Sequence, residues 1–150
     1  MALIKDFSLA QAHNNAAGLQ NIQNLFISQG QIIPFQPRAT PVPLGAVERI
    51  TLDQQVTEVG VKVITWSFAI LPFALLDTLV TTFGAGWSAK SGNVTIRTLS
   101  HTISSGAYSF ANYNAVMVTP GDGRDYQRRR TGGINYAVGL TLNFRDLTAL

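Results

Sequence analysis

The chain has 150 residues, 46% of them hydrophobic and only 13% charged, with a formal net charge of +3 and no cysteine. That length fits one domain able to bury a core without covalent staples, and the absence of cysteine excludes a disulfide framework, thiolate metal sites and cysteine nucleophiles. Charged residues make up about 25% of an ordinary soluble domain; here Gln, Asn, Ser and Thr take their place, a surface that favours burial in subunit contacts over life as a free monomer.

Residues 1–46 read as an extended arm, rich in Gln and Asn and punctuated by Pro34, Pro37, Pro41 and Pro43. The spacing of Leu19, Ile22, Leu25 and Phe26 predicts a short amphipathic helix over 16–28, stopped by Gly30. The proline-rich stretch 34–43 is expected to run extended. Leu19, Ile22, Phe26 and Phe35 are too apolar for a solvated tail, so they are candidates for contact with a neighbouring subunit. Nothing at Met1–Asp6 has the basic-then-apolar order of a secretory signal. The longest apolar stretch, Phe68–Leu76, is far short of the roughly 20 residues that cross a bilayer. No membrane span is expected, and the protein is expected to be made where it is used or released by lysis.

From residue 47 the pattern turns to β. Arg49–Val56 and Val59–Ile70 read as strands, the second with Ile64, Trp66, Phe68 and Ile70 on one face. Pro72 then opens a helix whose stripe is Phe73, Leu76, Val80 and Phe83, with Gly84 as its stop. Further strands follow at Val94–Ile103 and Tyr108–Val118, and Thr119–Gly133 reads as a long polar loop. In the last strand Ile134, Tyr136, Val138, Leu140, Leu142 and Phe144 alternate with more polar residues, which predicts one inward face packed on the helix. The sum is mainly β: a small sandwich or barrel of about five to six strands over 47–150, with one packed helix and the arm 1–46.

No catalytic, cofactor-binding or metal-binding residue emerges. His13 and His101 are far apart and fit no metal-ligand spacing. There is no GxSxG elbow and no phosphate-binding glycine loop, and Asp122–Asp125 lacks the ligand alternation of a calcium loop. An enzyme is the minority reading.

Charge points elsewhere. Residues 121–150 hold five arginines against three aspartates, and Arg124, Arg128, Arg129 and Arg130 fall between Pro120 and Gly133. Ion pairing to a neighbouring subunit ranks ahead of a solvated loop and of phosphate contact with nucleic acid. Tyr126 alone is too little for a base-stacking platform.

The layout of Ile64–Phe68 leading into Pro72–Phe83, then Asn114–Val118, then Arg128–Gly133 before the last strand resembles the tail tube proteins of tailed bacteriophages. The resemblance covers roughly residues 47–150 and is one of layout. It implies a non-enzymatic virion structural protein, assembled in the host cytoplasm without a cofactor. Such subunits form a β-sandwich or barrel with a flanking helix, and six of them close a ring whose inner strands join in a continuous barrel. Stacked rings contact other virion proteins and let DNA pass without sequence-specific binding. Loops and arms bridge subunits, roles that here fall to 1–46 and 119–133. Tube lumens of this family are commonly acidic whereas this chain is net positive. The arginines therefore face away from the channel, or the chain is a neck, baseplate or capsid-decoration protein; a small nucleic-acid-binding module is the other alternative.

Overall fold

The computed structural model describes residues 7–30, 37–42, 47–50, 56–59, 62–101 and 108–150, with backbone alone at 47–50, 56–59, 101 and 108. Most of the chain is β. In chain order the strands are β1 (Ser8–Gln11), β2 (Gln20–Asn21), β3 (Arg38–Ala39), β4 (Val47–Ile50), β5 (Val56–Val59), β6 (Val63–Pro72), β7 (Ser91–His101), β8 (Tyr108–Val118), β9 (Gln127–Thr131) and β10 (Ile134–Ala149). Helix α1 spans Ile22–Ser28, and α2 spans Phe73–Thr78 before widening into a π-type turn at Leu79–Phe83. Among the described residues no helix is long and apolar enough to cross a membrane.

One antiparallel sheet runs β2-β1-β7-β8-β10-β6-β3, with β9 beside β10 and the β4–β5 hairpin apart. The sheet curls into a half-barrel, so β6 and β7 face each other although they are not neighbours in it. The Trp66 indole N–H on β6 crosses the interior to the Thr98 hydroxyl on β7 at 3.0 Å. Just past β3, the Val42 N–H bonds Leu99 C=O at 2.9 Å, drawing the two sides together. Trp66, Phe144 and Phe7 fill the inside, with Phe7 edge-on to both Trp66 and Phe110 at 5.2 Å.

Helix α2 and its π-type turn close the barrel with Leu75, Leu76, Leu79, Val80 and Phe83, all buried. Three members of the predicted stripe are among them, while Phe73 stays half-exposed. Gly84 ends the helix for a steric reason rather than a left-handed one. A Cβ there would sit 2.6 Å from Met117 Cε and 2.8 Å from the Val80 carbonyl oxygen.

Three expectations need correction. Residues 7–30 do not lie free of the domain. Strand β1 pairs along β7 from Ser8↔Arg97 to Gln11↔Val94, and Ile22 and Phe26 are sealed in the chain's own core. The helix in this segment begins only at Ile22, where the Asn21 side chain accepts the Asn24 N–H at 3.0 Å, an N-cap that fixes the start.

The last strand does not keep one inward face. Leu140, Leu142 and Phe144 are buried, but Ile134 is exposed and Tyr136 and Val138 are half-exposed. Gly139, at φ +64, is the cause. Beyond it the inward residue is Ala137, and on β6 the buried run Ile64, Trp66, Phe68 likewise shifts to Leu71. Because Ala137 opposes Leu71 and Leu140 opposes Phe68, both strands bend together and exchange their faces.

Finally, 119–133 is not one loop. Gly132 and Gly133, both at positive φ, make a two-residue hairpin that folds β9 onto β10 in register from Thr131↔Ile134 to Gln127↔Val138.

Candidate assembly surface

Beyond the bend, β9, the first half of β10 and the end of β6 form a three-stranded ribbon, with Arg129, Tyr136 and Pro72 level across it. Among the described residues no strand pairs with the outer edge of β9, and β3 covers β6 only at Trp66 and Ser67. Strand edges left bare in this way are templates for pairing with another chain.

The two ribbon faces differ because side chains alternate along a strand. One face turns to α2. There the Arg128 guanidinium lies 4.1 Å over the Phe73 ring, a cation–π contact, and Phe73 stacks on Trp87 with ring centroids 5.7 Å apart. The Trp87 indole N–H donates to the Asp77 carboxylate at 2.7 Å. Tyr126 packs against Phe73 from β9's N-terminal side. Burial, reinforced by the negative charge of Asp122, pushes its phenol above the usual value, against a lowering pull from Arg128. Arg130 shares this face by alternation and has no hydrogen bond or ion pair among the described residues.

The opposite face carries Ile70 and Ile134, 46% and 51% exposed, with Tyr136 and Val138 between them and Arg129 beside them. Arg129 reaches the Gln127 side-chain carbonyl at 3.2 Å. At the bend an open cleft of about 480 Å³ is lined by Arg38, Ser67, Phe68, Ala69, Gly139 and Thr141. Apolar exposure, strand edges unpaired among the described residues and cationic side chains therefore coincide on one three-stranded element.

The residues singled out in the sequence fall into different places. Arg128, Arg129 and Arg130 come together on β9. Arg124 stays at the preceding turn, where its guanidinium bonds Asp125 at 2.9 Å and Thr119 C=O at 3.2 Å. The same Asp125 oxygen accepts the Gly121 N–H at 2.8 Å, so Arg124 and Asp125 hold the turn together. Of the arm's apolar candidates, Ile22 and Phe26 are core, Leu19 is half-buried, and Phe35 lies outside the described residues. Sequence reasoning missed Ile70, Ile134, Phe73 and Trp87 as surface residues. The Gly132-Gly133 pair between two strand-like runs was the available signal for the hairpin. Comparison with known proteins finds no matching family model, curated protein or solved structure.

Proposed function

We propose that the chain is a non-enzymatic structural subunit of a virion, a tail tube protein in the most concrete form, that assembles with its own copies into rings stacked around a DNA channel. The observation that carries this reading is the ribbon: an edge on each side that no strand among the described residues covers, and an outer face holding exposed Ile70 and Ile134. Two different edges on one element suit a heterologous contact, in which the β9 edge of one copy meets the β6 edge of the next and the rotation closes a ring. The low charge of the chain is in keeping with a surface mostly covered by neighbours. The resemblance in layout supplies the tube, the sixfold ring, the virion location and assembly in the host cytoplasm, and the sheet edges supply the means of joining. Other positions in the virion, at the neck, baseplate or capsid, use the same contacts.

Electron microscopy of the purified full chain tests the proposal. Rings with a central channel, alone or stacked, are expected. Isolated particles of single-chain size at all concentrations would overturn it. A nucleic-acid-binding module is favoured only by the adjacency of Arg128, Phe73 and Trp87. That alternative requires salt-dependent binding of DNA by the monomer.

A further inference from the structure

The edges of the ribbon serve the assembly proposed above, whereas its tip is built for a different partner. Along the β9–β10 hairpin the cross-strand levels begin with Thr131↔Ile134 beside the Gly132-Gly133 turn. Behind them come Arg130↔Asn135, Arg129↔Tyr136 and Arg128↔Ala137. Residues 127–135 are all exposed, Ile134 at 51%. The tip is thus uncharged, with one aliphatic side chain in water, and the cations begin one level behind it. Three levels separate Ile134 from Arg128, roughly 10 Å of strand.

The cations stand on both faces. Arg128 and Arg130 share the α2 side, and Arg129 is on the outer side, where half-exposed Tyr136 lies level with it. The only ion pair among the described residues is Arg124–Asp125, so no described carboxylate pairs with these three arginines. A protein surface or a nucleic-acid duplex meets one face of a strand pair and leaves the cations of the other in water. A layer of anionic headgroups surrounds an inserted tip and offers phosphates to both faces at once.

The order along the hairpin fits the same partner. An aliphatic residue leads, and arginine and tyrosine follow at the level where a bilayer holds its headgroups and interfacial aromatics. The long arginine stem lets the guanidinium stay among the phosphates while the backbone goes deeper. The outer edge of β9, unpaired among the described residues, limits the tip to that hydrated layer, because unsatisfied backbone groups are excluded from the hydrocarbon core. A net charge of +3 adds attraction to an anionic leaflet.

We infer that the tip of the β9–β10 hairpin is a contact site for an anionic lipid surface. Ile134 enters the headgroup layer, and Arg129 and Arg130 pair with lipid phosphates from opposite faces. The contact belongs to the hairpin of a single copy and does not depend on assembly.

Cosedimentation of the full chain with vesicles tests it, with circular dichroism to verify folding. One set of vesicles is phosphatidylcholine alone, and the other is phosphatidylcholine and phosphatidylserine in equal parts. Binding about tenfold stronger to the anionic set is expected, weakening as salt rises. Arg129→Gln with Arg130→Gln should lose about tenfold, and Ile134→Ser about fivefold, each with the folded signal kept. Ile134→Trp should bind more tightly, with emission shifted to the blue on vesicles. Ile70→Ser is the control. Ile70 is comparably exposed on the same outer face but away from the tip, so this variant should bind like the wild type. Equal binding to both sets of vesicles, or binding to neither, would overturn the inference. So would an Ile134→Ser variant that binds like the wild type, or an equal loss in Ile70→Ser and Ile134→Ser, which would assign the effect to weakened assembly. Salt-sensitive affinity for a DNA duplex without vesicle binding would overturn it in favour of a nucleic-acid surface.

Discussion

Single residues in this molecule act through geometry more than through charge. Gly139 is exposed with nothing within 4 Å of where a Cβ would stand, so its only constraint is φ +64. Gly139→Ala should therefore cost about 1–2 kcal/mol, the strain of a left-handed L-residue, measurable by denaturant unfolding. Gly84→Ala meets atoms instead. The Met117 methyl can swing away, but the Val80 carbonyl is backbone, and a cost of about 1–3 kcal/mol is expected from overpacking. Tyr126 provides a pH signature. Its folded-state phenol is raised by burial first and by Asp122 next, so above the usual tyrosine value the unfolded chain ionises while the folded one does not. The stability contribution is full below that value and is lost as pH rises toward the folded value. Wild-type unfolding monitored from pH 9 to pH 11 should show this decline, and Tyr126→Phe should flatten it.

At the scale of elements, the N-terminal segment and the β9–β10 hairpin show what a sequence reveals and where it stops. Residues Ile64–Phe68, Leu140–Phe144 and the helix stripe were legible because each keeps a strict period. The same alternation misled at Ile134–Val138, since a bend at Gly139 exchanges faces without leaving any mark in the hydrophobic pattern. Ile22 and Phe26 read as contacts to another subunit because the strand that ties their segment to the domain, β1, pairs with β7 more than 70 residues away in sequence. The arginine strand was read as a loop because charge concealed its β pairing, although Gly132-Gly133 marked its turn. The candidate surface was legible only in its arginines; the apolar half of it appears once the bend turns Ile70 and Ile134 outward. Two element-level outcomes follow. Phe7→Ala, which empties the space between Trp66 and Phe110, should cost about 3–5 kcal/mol in chemical denaturation. Replacing Arg128, Arg129 and Arg130 together with Ala should leave the thermal midpoint close to that of the wild type while impairing assembly.

For the whole molecule, a curled sheet closed by α2 provides the rigid body, and the ribbon is the element through which the proposed assembly would join its copies. The barrel core, from Trp66 to Phe144, accounts for the folding of the separate chain. Under the proposed assembly, the low charge, the edges of β6 and β9 that are unpaired among the described residues, and the exposed Ile70 and Ile134 have one common explanation. Ile70→Lys with Ile134→Lys should accordingly produce a folded chain that stays single. The most direct measurement is sedimentation velocity of the wild-type chain across a wide concentration range. The account predicts a discrete ring species of several copies, six if the tube resemblance holds, with longer stacks above it at low salt. A single species of 16.2 kDa at every concentration would contradict it.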